Sequence, residues 1–148
     1  MRQRPWAGCI QQKSQRARAA AIMIVMDTGV LVYWTLDPEQ LSSSASTAIA
    51  EDEEKIISAV SIWELGQKIK FGDLRLPLRL SDYLEKLKSV ENLEIAPVDA
   101  EHWMRSLILN WENDDIADRL IVATSMLRSC TLITADVVIR DFYSKSLW

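Results

Sequence analysis

The residues best suited to chemistry in this sequence are four acids: Asp27, Glu64, Asp118 and Asp136. Asp27 and Asp136 each follow an apolar segment typical of a buried strand, whereas Glu64 and Asp118 lie one turn into helical patterns. Carboxylates gathered in one cleft repel each other, so they require raised pKa values or a cation. Mg²⁺ and Mn²⁺ take oxygen ligands, polarise phosphates and generate hydroxide. The pattern therefore indicates a site for a hard divalent metal ion, which in phosphodiester hydrolysis needs Asp and Glu but no histidine.

The sequence contains few residues that could support other kinds of catalysis. His102 is the single histidine, which excludes a multi-histidine zinc site, and its neighbour Glu101 on a helix predicts a surface position. Cys9 and Cys130 are too few for a disulfide framework and favour a reducing, cytoplasmic compartment. No run approaches the roughly 18 apolar residues of a membrane helix, so the sequence predicts a soluble protein.

Size and charge predict one domain with a distinct leader. The chain has 148 residues, of which 49% are hydrophobic and 26% charged, as suits a single globular domain. Residues 1–22 carry five Arg and Lys and no acid, whereas residues 23–148 carry 12 Arg and Lys against 21 Asp and Glu, a net charge of −9. We expect residues 1–22 to be a disordered tail or the product of an early start codon, with a transit peptide as the alternative. Residues 23–148 then form the domain. The −9 argues against a basic nucleic-acid surface but allows a nucleic-acid enzyme whose acids are masked by metal.

Strand-like and helix-like segments alternate along residues 23–148. Apolar strands are predicted at residues 21–26, 56–60, 93–98 and 131–135, with helices between them. Asp37 and Pro38 predict the start of an amphipathic helix that runs to the acidic residues 51–54. This alternation predicts an α/β fold with a mostly parallel sheet between two helical layers. Ligands of such sheets bind at the carboxyl ends of the strands, where the four acids can converge.

Each acid also has a purely structural interpretation. Ser61 and Glu64 match a capping box at the start of a helix. Asp118 stands three residues after a presumed cap, Asp115, where an acid is favourable without any active site. Asp27 could serve a turn, and Asp136 could cap the last helix. The four acids together favour a site.

Four further residues are secondary candidates for the site: Thr28, Asp115, Arg119 and Thr134. Thr134 lies two residues before Asp136 and could add an oxygen, although a threonine at a strand end is often a plain β-former. Arg119 is either a partner of the acids or a solvated charge. Three tryptophans at helical positions are expected in the core or at a dimer surface: Trp63, Trp103 and Trp111.

Four segments in order, residues 25–31, 60–65, 115–124 and 132–136, resemble the PIN-domain family, and within it the VapC-type toxins of toxin–antitoxin pairs. The resemblance implies a three-layer α/β/α fold with about four to five strands. It also implies a Mg²⁺- or Mn²⁺-dependent endoribonuclease whose quartet is Asp27, Glu64, Asp118 and Asp136, with Thr134 helping to hold metal or water.

The same resemblance implies partners. Such toxins form homodimers, and a VapB-like antitoxin silences them with a C-terminal segment that fills the groove and brings an arginine to the acids. This chain departs from close relatives in one loop, where Asn113, Asp114 and Ile116 replace a histidine, a basic residue and a proline. The departure concerns substrate preference and loop shape rather than the metal site.

Two other functions remain open. One is a receiver or phosphatase of similar layout that uses Asp27 as a phosphoryl acceptor, which the sequence disfavours because Gly29 stands where such phosphatases have a second acid. The other is a catalytically silent interaction module whose apolar helices contact a second copy or an antitoxin.

Overall fold

The computed structural model describes residues 22–50 and 54–148. The predicted leader, apart from Ile22, and three of the four residues of the acidic cluster lie outside the described residues. Within them, no helix is long and apolar enough to cross a bilayer.

Strands and helices alternate as the sequence predicts. The strands are β1 (Met23–Met26), β2 (Glu54–Ser58), β3 (Leu93–Ala96), β4 (Thr131–Ile133) and β5 (Ser146–Leu147). The α-helices are α1 (Thr28–Leu36), α2 (Ser43–Ala50), α3 (Ala59–Phe71), α4 (Leu80–Lys88), α5 (Ala100–Leu107), α6 (Ile116–Leu127) and α7 (Val137–Phe142). A short 3₁₀ turn, Pro38–Gln40, follows α1.

The five strands form one parallel sheet in the order β3-β2-β1-β4-β5. The predicted parallel sheet of four to five strands is therefore confirmed. Its central strand β1 is fully apolar because both of its faces are covered. Strand order reverses at β1, since the chain builds outward through β2 and β3 and then returns to place β4 on the other side.

Two apolar clusters, one on each face of the sheet, complete three layers. Ile24, Met26 and Ile57 of the sheet pack with residues of α1 to α4. On the other face, Val25 and Leu132 pack with residues of α6 and α7. Successive residues of one strand alternate between the two faces, so a continuous apolar run serves both cores.

The helix predicted from Pro38 to the acidic cluster is wrong. The Asp37 side chain makes no capping hydrogen bond, and the chain forms only the 3₁₀ turn before it restarts. The hydroxyl of Ser42 accepts the backbone N–H of Ala45 at 3.0 Å and so fixes a new start for α2.

The capping box at Ser61 is also wrong. Strand β2 ends at Ser58 rather than residue 60, and the Ser58 hydroxyl accepts the Val60 N–H as the cap of α3. Glu64 therefore lies in the second turn, where it caps nothing. The predicted caps Asp115 and Asp136 are confirmed, and Asp99 caps α5.

His102 is buried, not a surface residue. The residue is 8% exposed, and its Nδ1 lies 2.7 Å from Asp99 Oδ1. Helix α5 packs on α6 through its polar side, which carries His102 and Ser106. Its apolar residues Trp103 and Leu107 are exposed to solvent. The sequence misleads here because the apolar side of an amphipathic helix ordinarily faces the core.

Candidate active site

A cavity of about 300 Å³ opens at the carboxyl ends of β1 and β4, where strand order reverses. Ligands of parallel α/β sheets bind at such a point because the connecting helices diverge there. All four predicted acids line this cavity: Asp27, Glu64, Asp118 and Asp136. The structure thus brings together residues that are up to 109 positions apart in the sequence.

Asp27 forms the floor of the cavity and caps α1. Its Oδ1 accepts the Val30 N–H at 2.7 Å, and the residue is 8% exposed. Burial raises its pKa to about 6, and the charges of Glu64 and Asp136 act in the same direction, against the hydrogen bonds from Thr134 and Val30. A buried carboxylate among other acids is an arrangement that a cation would stabilise.

Thr134 forms hydrogen bonds with two of the acids. Its hydroxyl donates to Asp27 Oδ2, and its oxygen accepts the backbone N–H of Asp136 at 3.1 Å. The side chain is fully buried and does not line the cavity. Its contacts orient Asp27 and fix the turn after β4.

Thr28 links the first helix to the third. Its hydroxyl oxygen lies 2.6 Å from Glu64 Oε2, to which it donates, and 2.9 Å from Ser61 Oγ. The short distance is typical of a hydroxyl that donates to a carboxylate. Glu64 is thereby held toward the cavity from the second turn of α3.

Asp118 faces the cavity from the first turn of α6. Its Oδ2 accepts from Asn113 Nδ2 at 2.9 Å. Burial raises the pKa of Asp118 to about 6, and the charges of Asp115, Asp136 and Glu64 contribute, whereas the Asn113 hydrogen bond lowers it. Two of the four acids therefore hold protons more tightly than ordinary aspartates.

Two secondary candidates have structural roles outside the cavity. Asp115 is exposed, and its Oδ1 accepts the Asp118 N–H at 3.0 Å as the cap of α6. The Arg119 guanidinium donates to four backbone carbonyls at 2.7–3.1 Å, those of Ser106, Leu109, Trp111 and Asn113. It is neither a partner of the acids nor a solvated charge. Arg119 clamps the segment that presents Asn113 to Asp118.

Three polar side chains at the site were not predicted as site residues: Tyr33 and Lys68, which line the cavity, and Asn113, which binds Asp118. Lys68 follows Glu64 by four residues on one helix, a spacing that places both on the same face and could have revealed it. Nothing in the sequence marks Asn113, because its contact depends on the shape of the loop.

The donor set suits a hard divalent cation. The side-chain atoms here that could bind a metal ion are oxygens, while His102 and Cys130 lie elsewhere. In the described part of the chain, no group of three or more acidic, histidine or cysteine side chains is placed so that it could already hold a metal ion. Mg²⁺ does not require such a group, since it retains several waters and is usually held by one or two carboxylates and the substrate's phosphates. The residues present therefore fit such an ion.

Comparison with known proteins establishes the family. Residues 24–145 match the family described as PIN domain. The chain belongs to the PIN-domain family. Ribonuclease VapC22 of Mycobacterium tuberculosis (strain ATCC 25618 / H37Rv) is 30% identical over 119 residues, which are 80% of this chain and 90% of that protein. This similarity makes the chain a VapC-type PIN domain.

Solved structures share the fold of this PIN domain. A toxin–antitoxin complex from Klebsiella pneumoniae has a TM-score of 0.58 at 19% identity, covering 84% of this chain and 96% of that one. VapBC2 from Rickettsia felis, bound to a DNA fragment from its promoter, has a TM-score of 0.58 at 18% identity, covering 82% and 93%. FitAcB from Neisseria gonorrhoeae has a TM-score of 0.53 at 20% identity, covering 79% and 90%.

Proposed function

We propose that this PIN domain is a Mg²⁺- or Mn²⁺-dependent endoribonuclease in which Asp27, Glu64, Asp118 and Asp136 form the metal and catalytic site. The observation that carries the proposal is the convergence of these four acids on one cavity at the point where strand order reverses. The name of the 30% identical relative, a ribonuclease, supports RNA as the substrate class.

The chain's own residues prepare the site for hydrolysis. A divalent cation bound there would neutralise charge on the scissile phosphate and acidify a water. Asp27 and Asp118, whose pKa values burial raises to about 6 in the metal-free protein, would bind that cation as carboxylates, and its positive charge would displace the protons they hold without it. Thr134 and Thr28 keep Asp27 and Glu64 in fixed orientations, which reduces the reorganisation needed when substrate arrives.

The biological role we propose is the toxin of a toxin–antitoxin pair in the cytoplasm, inhibited by a VapB-like antitoxin. Two of the similar structures, a toxin–antitoxin complex and VapBC2, support that partner. An anionic cavity would attract a basic side chain of such a partner.

We also propose that the chain forms a homodimer. Four large apolar side chains of α5 and the residue after it are exposed: Trp103, Met104, Leu107 and Ile108. A contiguous exposed apolar face on a small protein usually marks an interaction surface. We assign this face to the second copy, and we name it the α5 face.

The test is a cleavage assay with a matched acid variant. The full chain is incubated with total RNA and Mn²⁺ or Mg²⁺, with and without EDTA, beside Asp118→Asn and Asp114→Asn purified identically. Asp114 is an exposed acid in the same loop and does not line the cavity, so its variant controls for the loss of one charge. We expect cleavage that requires metal, is lost in Asp118→Asn and survives in Asp114→Asn. Undiminished cleavage by Asp118→Asn would refute the site assignment.

A further inference from the structure

Lys68 is the single cation among the described residues that line the acidic cavity. It lies on α3, four residues after Glu64, and its Nζ is 3.6 Å from Glu64 Oε1. The Lys68 side chain is 47% exposed and that of Glu64 is 21% exposed, so Lys68 is the more accessible to a ligand that approaches from solvent.

The pairing with Glu64 leaves the Lys68 ammonium free to bind something else. At 3.6 Å the two groups attract each other without a hydrogen bond, and a half-exposed pair of this kind contributes little to stability. Among the described residues, the Lys68 ammonium group donates no hydrogen bond to a protein acceptor. Glu64 does not depend on Lys68 for its orientation, because Thr28 donates to its other oxygen at 2.6 Å.

The charge of the cavity creates a need for such a group. An RNA phosphodiester carries one negative charge and must approach four carboxylates, two of them buried deeply enough to raise their pKa values. A lysine ammonium is a compact point charge that binds phosphate oxygens well. At the mouth, it would meet the substrate before the carboxylates do.

We propose that Lys68 is a substrate-binding residue that contacts a backbone phosphate of the RNA at the mouth of the cavity. The inference rests on the proposed ribonuclease function and deepens it by naming a residue that recognises the substrate. It makes Lys68 an RNA ligand rather than a support for Glu64.

Lys68→Gln removes the charge and keeps most of the side-chain length, Lys68→Arg keeps the charge, and Lys70→Gln is the matched control. Lys70 lies on the same helix and is exposed, but its Nζ sits 5.7 Å from the centre of the Phe71 ring and it does not line the cavity. In saturating Mn²⁺ we expect Lys68→Gln to lose at least about tenfold in kcat/KM, Lys68→Arg to recover part of this, and Lys70→Gln to stay within about twofold.

A binding arm measures the phosphate contact directly. Affinity for a single-stranded RNA is measured against salt concentration in full-length Asp118→Asn, with and without Lys68→Gln. Loss of one phosphate contact should make the slope of log affinity against log salt shallower by about 0.7. Mn²⁺ affinity, measured without RNA, should be unchanged or tighter in Lys68→Gln, because a cation beside Glu64 has been removed.

Unchanged cleavage, RNA affinity and salt slope in Lys68→Gln would overturn the inference while leaving a cleaving wild-type chain as a ribonuclease. Weaker Mn²⁺ binding with an unchanged salt slope would also overturn it, since Lys68 would then act through Glu64. A different result would be a wild-type chain without metal-dependent cleavage, together with weaker RNA binding and a shallower salt dependence in Lys68→Gln. The proposed function would then fail and the phosphate contact would stand.

Discussion

Replacing Asp27 by Asn should stabilise the metal-free protein above neutral pH. Burial raises the pKa of Asp27 from 3.8 to about 6. Between these two values the folded protein holds a proton that the unfolded chain releases, so the free energy of unfolding falls as the pH rises through this window. At about 1.4 kcal/mol per pH unit, the accumulated loss above pH 7 is about 3 kcal/mol.

Asparagine removes this loss and keeps most of the local contacts. Its carbonyl oxygen can still accept the Val30 N–H, and its amide can donate to the Thr134 hydroxyl in place of the present bond. We therefore expect Asp27→Asn to be about 2–3 kcal/mol more stable than the wild-type chain at pH 8 in EDTA, with the difference vanishing near pH 4.

Urea unfolding followed by tryptophan fluorescence, on full-length protein between pH 4 and 8, measures the effect. Asp73→Asn, which changes an exposed acid outside the cavity, is the control and should alter stability little at any pH. Mn²⁺ at 100 times its dissociation constant should add about 2.7 kcal/mol to the wild-type protein and much less to Asp27→Asn. A variant that is less stable than wild type at pH 8 in EDTA would refute the reasoning.

Two further predictions concern the surroundings of the cavity. Arg119→Met leaves four backbone carbonyls without their donor and should lower the free energy of unfolding by about 2–4 kcal/mol. Amide exchange in residues 108–113 should become faster. Arg119→Lys should not restore stability, because an ammonium group cannot reproduce the planar guanidinium fork. Wild-type stability in Arg119→Met would show that the clamp is dispensable. Leu107→Glu places a charge on the α5 face and should yield monomers by light scattering without loss of stability, since Leu107 is 72% exposed; an unchanged mass would remove this face from the dimer.

Much of the fold could be predicted because its signals are local. Asp115 and Asp136 indicate two helix starts by residue type and position, and the apolar run of β1 requires cover on both faces. The convergence of the four acids on one cavity was also predictable, since parallel strands present their carboxyl ends at one edge.

The wrong and undecided predictions depend on contacts that lie outside the local sequence. Ser58 and Ser61 both suit a helix start, and the choice depends on where pairing with β1 and β3 ends, which a local pattern does not contain. His102 was misplaced because the polar side of α5 faces the core. Arg119 was undetermined because its partners are backbone carbonyls of a loop whose path only the folded chain defines.

Two of the four acids cap helices that begin at the cavity, and this changes its effective charge. Asp27 caps α1 and Asp136 caps α7, so the N-termini of both helices point toward the four carboxylates. Each N-terminus carries the equivalent of about half a positive charge from its aligned peptide dipoles. Together they offset about one carboxylate without any ion or basic side chain. The cavity therefore repels a phosphate less than the number of its acids suggests. No side-chain substitution that leaves the helices intact can remove this contribution to its charge.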